Sequence, residues 1–108
     1  MQYEYHATCK RITPSQARAK MQAYPNAIII DVRSQRAYNT GHIPGAKLLP
    51  HYAIEAQAPY VLPNKNALII VYCQSGARSN SAAQELVLMG YTNVYDCGGI
   101  NSWPYERE

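Results

Sequence analysis

The chain has 108 residues, room for one modest hydrophobic core and hence for one domain, 1–108. Apolar residues make up 47% and charged residues 16%, which excludes a disordered chain; the formal charge of +3, spread from Lys10 to Arg107 without a basic run, argues against nucleic-acid binding. No apolar segment reaches membrane-spanning length and residues 1–6 lack a signal peptide's basic start and apolar middle, so the expectation is a soluble cytoplasmic protein, or a periplasmic one if an export signal has been removed ahead of Met1.

Residues 1–8, with Tyr3, Tyr5 and Ala7 alternating against polar neighbours, form a tail or an edge strand. A first short strand falls over Cys9 to Ile12. Thr13-Pro14-Ser15-Gln16 then starts a helix running to Ala23, with Thr13 as cap, Pro14 at the first helical position and Gln16 completing a capping box. Ala27 to Val32 is a second strand, apolar until Asp31, and Gln35 to Asn39 makes one helical turn. A turn-rich link, Gly41-His42-Ile43-Pro44-Gly45, leads to a third strand over Ala46 to Leu49. Residues 51–62 have helical character that Pro59 should interrupt. The run Ala67 to Tyr72, β-branched and nearly continuous, predicts a strand buried on both faces that ends at Cys73. From Arg78 a helical pattern continues to Gly90, placed as its C′ glycine. Val94 to Cys97 is the last strand, Gly98-Gly99 a turn, and Ile100 to Trp103 a final apolar patch. Strands alternating with helices predict a mostly parallel α/β sheet, in which ligands bind beyond the carboxyl ends of the strands.

Cys73 stands at such an end, where a strand hands over to a helix. Unpaired N–H groups and the partial positive charge of a helix N-terminus favour an anion there, and they favour the thiolate, the nucleophilic form of cysteine. The small residues Ser75, Gly76 and Ala77 suit a backbone that must wrap an anion, and Arg78 adds a full positive charge. The three cysteines, at 9, 73 and 97, are odd in number and widely spaced. They make neither a disulfide framework nor a metal motif, and they fit a reducing compartment.

Three stretches in this order resemble a single-domain rhodanese, a rhodanese-like sulfurtransferase, over residues 12–103. They are Asp31-Val32-Arg33 through Tyr38 to Gly41-His42-Ile43-Pro44-Gly45-Ala46; Cys73-Gln74-Ser75-Gly76-Ala77-Arg78-Ser79 with Ala82-Ala83, Leu86 and Gly90-Tyr91; and Gly98-Gly99-Ile100 with Trp103. The resemblance implies a mostly parallel five-stranded sheet flanked by helices on both faces. It implies that Cys73 takes a sulfane sulfur from thiosulfate or a related small anionic donor, releases sulfite and becomes a persulfide. A thiophilic acceptor then receives the sulfur: cyanide in the usual assay, a thiol or a protein in the cell. Gln74, Ser75, Gly76, Ala77, Arg78 and Ser79 would form the donor-binding loop, with Asp31, Arg33 and His42 supporting it. No metal or organic cofactor, no membrane and no nucleic acid is implied.

The chain departs from the usual family pattern at three points. Gln74 stands where a basic residue often follows the cysteine, Ala37 where a glutamate is frequent, and the segment from Val94 to Gly98 is short. Gln74 leaves Arg78 as the loop's only charged side chain, so an arginine at 74 is expected to improve thiosulfate use. Two rival readings stand beside sulfur transfer. One is a non-catalytic sulfur-carrier or regulatory module of the same fold. The other is a small cysteine-dependent phosphatase, against which the spacing counts: four residues separate Cys73 from Arg78, where such phosphatases have five. His42 is expected to hydrogen-bond backbone near its turn, and Asp31 to pair with Arg33 or a loop N–H. His6 and His51 receive no role, and Trp103 and the tyrosines are read as core and rim. Cys97, closing the strand expected beside that of Cys73, is either a small buried residue or a resolving thiol within disulfide reach.

Overall fold

A computed structural model describes residues 9–108; the tail or edge strand expected at 1–8 lies outside them. Five strands form one sheet: β1 (Lys10–Arg11), β2 (Ile28–Asp31), β3 (Lys47–Leu48), β4 (Ile69–Cys73) and β5 (Val94–Gly99). Their order is β1-β5-β4-β2-β3 and every pairing is parallel. The parallel sheet expected from the alternating pattern is thus present, with the cysteine strand at its centre. All five residues of β4 are buried, as a central strand covered on both faces requires.

Four helices connect the strands: α1 (Pro14–Ala23), α2 (Gln35–Asn39), α3 (Ile54–Val61) and α4 (Ala77–Leu88). The Thr13 hydroxyl accepts the Gln16 N–H and the Gln16 side chain accepts the Thr13 N–H, closing the capping box of α1. Helix α4 closes with Gly90 at φ +103°; the Tyr91 N–H reaches the Leu86 carbonyl and the Gly90 N–H that of Val87, the two bonds of a Schellman motif. Pro59 does not interrupt α3 but lies inside it. The missing N–H deprives only the Glu55 carbonyl, and both residues are exposed, so that group is left at the solvent face, where the loss costs little.

The sheet divides the core into two layers. On one face α3 and α4 bring Ala58, Leu62, Ala82 and Leu86 against Ile30, Ile69, Val71 and Cys73. On the other, Ala17 of α1, Ile43, Ile100 and Trp103 cover Ile29, Ile70, Tyr72 and Cys97. Burying an aliphatic side chain in such a layer contributes about 1.5–3 kcal/mol, so the two layers fix the register of β4 from both sides.

β5 continues through Gly98-Gly99 instead of turning there. Its pairing slips on the way: Val71 faces Asp96, but Cys73 faces Gly99, so β5 carries one extra residue. Gly98, at φ +87°, takes up this β-bulge, and its N–H is held by the Asp96 carboxylate at 2.8 Å. Asp96 is fully buried and also pairs with Arg11 at 3.0 Å.

Candidate active site

Cys73 ends β4, and residues 74–76 connect it to α4. Gly76, at φ +107°, turns the chain so that its N–H points back and donates to Cys73 Sγ at 2.9 Å. A backbone donor at that distance stabilises negative charge on the sulfur. Thr13 and Ser34 cap α1 and α2 with their side chains, whereas Gly76 leaves the start of α4 without a side-chain cap. The first N–H groups of α4 therefore stay available to a bound anion.

The loop is pressed against β5. A Cβ at Gly76 would touch the Gly98 Cα at 3.6 Å, and one at Gly99 would overlap the backbone of Gln74 and lie 2.7 Å from Ser75 Cα. Only glycine fits at 99, a contact that a reading of Gly98-Gly99 as a turn does not anticipate. The Ser79 hydroxyl donates to the Gly76 carbonyl at 3.1 Å, with the Gly98 carbonyl 3.4 Å away. Ser79, expected among the donor-binding residues, is fully buried behind the loop and braces it.

A cleft of about 340 Å³ opens over Cys73, lined by Gln74, Ser75, Ala77 and Arg78 from the loop and by Arg33, Ser34 and Ala37 from the β2–α2 segment. Asp31 reaches it only through Arg33: the carboxylate accepts Arg33 Nε at 3.0 Å and Nη2 at 2.7 Å, the Arg33 N–H at 2.9 Å and the Tyr72 hydroxyl at 2.7 Å. Burial and the Asp31 hydrogen bond push the Tyr72 phenol upward, keeping it a donor to Asp31. Arg33 Nη2 also donates to the Gly41 carbonyl at 2.7 Å, and Nη1 to Gln74 Oε1 at 3.0 Å.

Gln74 is more than a missing cation. Its other amide end donates to Asn101 Oδ1 at 2.6 Å, and its carbonyl accepts the Asn101 N–H at 3.1 Å. It ties Arg33 to the 3₁₀ turn Ile100–Ser102 across the loop. An arginine at 74 would set a second cation against Arg33 Nη1 and lose the acceptor, so the gain in thiosulfate use expected from charge alone does not follow.

His42 lies outside the cleft. Its ring stacks on Tyr38 at 3.8 Å between centroids, with Nδ1 3.0 Å from the Tyr38 carbonyl. Cys97 lies in the opposite core layer from Cys73 and is 6% exposed. Burial, with Asp96 adding to it, pushes its thiol up to about 12. The partner of Cys73 on β5 is Gly99, and strand alternation from the Ile70–Tyr95 pair sets Cys97 on the face of Tyr72. Adjacency of the two strands is real, but side-chain parity separates the thiols, so the geometry gives no support to a resolving role for Cys97. His51, Asn101 and Tyr72 are the residues of this region that the sequence reading left without a role. Their partners lie 27 or more positions away, and no local pattern announces them.

A parallel sheet whose central strand brings a cysteine to an uncapped helix N-terminus is an α/β domain with a candidate anion site at the carboxyl edge of its sheet. The chain belongs to the rhodanese-like domain family, which matches residues 13–105. It is 38% identical over 96 residues to the thiosulfate sulfurtransferase GlpE of Pseudomonas entomophila, covering 87% of this chain and 84% of that protein. To the thiosulfate sulfurtransferase PspE of Escherichia coli it is 37% identical over 71 residues, 66% of this chain and 68% of the relative. A solved rhodanese with anions from E. coli superposes with a TM-score of 0.71 at 32% identity, over 76% of this chain and 96% of that one.

Proposed function

We propose that this chain is a rhodanese-type sulfurtransferase whose sulfur is carried on Cys73, with thiosulfate as a donor. The observation that carries the reading is the Gly76 N–H on Cys73 Sγ, at the floor of a cleft with Arg78 on its wall. The Cys73 thiolate attacks the outer sulfur of thiosulfate; the donor's S–S bond breaks and sulfite leaves with the bonding pair. The product on Cys73 is a persulfide, again anionic and placed to be held by the same N–H groups. An acceptor thiolate, or cyanide, then attacks the outer sulfur, and the electron pair returns to Cys73 Sγ. Both half-reactions use one nucleophile, so ping-pong kinetics are expected. Arg78 and the loop N–H groups bind the anion, Arg33 and Gln74 shape the wall, and Asp31 holds Arg33. The acceptor is a small thiol or a thiol-bearing protein. We place the protein in the cytoplasm, where its three unpaired cysteines stay reduced; no helix of the described residues is long and apolar enough to cross a membrane.

Intact-protein mass spectrometry after exposure to thiosulfate tests the reading. The wild type should gain the mass of one sulfur atom and lose it to cyanide, and Cys73→Ser should gain none. A wild type that acquires no sulfur, or a serine variant that does, overturns it.

A further inference from the structure

Arg78 is the one charged side chain of the catalytic loop, and it is exposed on a flexible stem. Holding such a side chain toward a ligand costs rotamer entropy unless something orients it beforehand. In the structure His51 does so: Arg78 Nη1 lies 2.7 Å from His51 Nε2. The guanidinium can only donate, so Nε2 is the acceptor and the imidazole is neutral. His51 opens the 3₁₀ turn His51–Ala53 directly after β3, and its own N–H donates to the Val32 carbonyl at 2.9 Å. That bond anchors the histidine's main chain to the segment linking β2 to α2, and from there the ring reaches across to the first turn of α4. Arg78 lines both the cleft over Cys73 and the adjoining hollow that contains His51, Ser81 and Glu85.

The chemistry of this acceptor matters. A carboxylate would orient Arg78 equally well but would neutralise it, leaving the cleft without a free cation. Arg33 is already matched by Asp31, and among the described residues no carboxylate lies within ion-pair distance of Arg78. A neutral imidazole orients the guanidinium and leaves its charge unspent. We infer that His51 is a positioning residue for the donor step, holding Arg78 as an uncompensated cation at the mouth of the cleft. The inference rests on the reading of Arg78 as the anion-binding side chain.

Three substitutions separate orientation from charge: His51→Gln keeps a neutral acceptor, His51→Leu removes it, and His51→Glu supplies a charged one. Steady-state kinetics with thiosulfate should show His51→Gln within about twofold of wild type and His51→Leu with KM raised about three- to tenfold at unchanged kcat, the net size of one solvent-exposed hydrogen bond. His51→Glu should raise KM further than His51→Leu although it restores an acceptor. Sulfite affinity measured by calorimetry should follow the same ranking, and it reads Arg78 without any turnover. Failure of the wild type to take sulfur from thiosulfate would refute the donor reading while leaving the sulfite ranking to judge His51. An unchanged KM and sulfite affinity in His51→Leu overturns the inference, as does a fall in kcat with KM unchanged, the mark of a merely structural role. So does His51→Glu binding sulfite as well as His51→Gln.

Discussion

Cys73 and Cys97 sit on neighbouring strands and meet opposite chemistry. The first receives a backbone N–H and opens to the cleft; the second is packed under α1 and the 3₁₀ turn Ile100–Ser102, its thiol pushed up to about 12. Because a raised thiol stays protonated below that value, Cys97 should be inert at pH 8, where only thiolate reacts. Iodoacetamide followed by peptide mapping should therefore label Cys73 well ahead of Cys97, and mild oxidation should yield no Cys73–Cys97 bridge. Equal labelling, or such a bridge, would show that the two layers open to each other. Gln74 carries a second expectation at this scale. Gln74→Arg removes the acceptor that Arg33 Nη1 uses and sets guanidinium against guanidinium. We expect kcat/KM for thiosulfate to fall, by about 1–3 kcal/mol of lost contact at most; a rise would mean that attraction of the anion outweighs the brace.

At the scale of elements, the site is where four segments meet: the end of β4, the start of α4, the bulged end of β5 and the β2–α2 link. Gly99→Ala would drive a Cβ into the Gln74–Ser75 backbone, which cannot give way as a side chain would. A displaced loop of this kind lowers kcat/KM by about 100-fold, and the measurement should show it with the far-UV circular dichroism unchanged. Asp31→Ala strands Arg33, 7% exposed, without its counter-charge. Leaving one partner of a buried pair costs about 3–5 kcal/mol, a loss that urea denaturation would resolve. The same elements show what a sequence discloses. The capping box at Thr13 and Gln16, the β-branched run of β4 and the glycine closing α4 are local patterns, each decided within a few residues. Cys73 was legible because its location follows from two such elements. The Gln74–Asn101 tie, the Arg78–His51 contact and the bed of Gly98-Gly99 were not, since each joins residues that only the sheet order brings together.

Across the whole molecule, the cleft draws its walls from segments as far apart in sequence as Arg33 and Arg78, so occupying it should stabilise the fold as a unit. Sulfite at ten times its dissociation constant adds about 1.4 kcal/mol, which for a domain of this length is a rise in Tm of roughly 5–8 °C. Differential scanning fluorimetry of wild type and Arg78→Ala checks this: the variant should show a clearly smaller shift at the same concentration. An equal shift in both would place the anion elsewhere on the molecule.

The extra residue in β5 also governs how the chain tolerates changes of length. Up to Asp96 the strand pairs residue for residue with β4; the extra residue is taken up at Gly98, so that Gly99 again faces Cys73. Deleting Gly98 would leave Gly99 opposite Cys73 but would remove the N–H that the Asp96 carboxylate accepts and straighten the bulge against which Gly76 is seated. Adding a glycine to the exposed bend at Pro25–Asn26 disturbs no such contact. The bulged end of β5 thus holds both its length and, at Gly99, its letter.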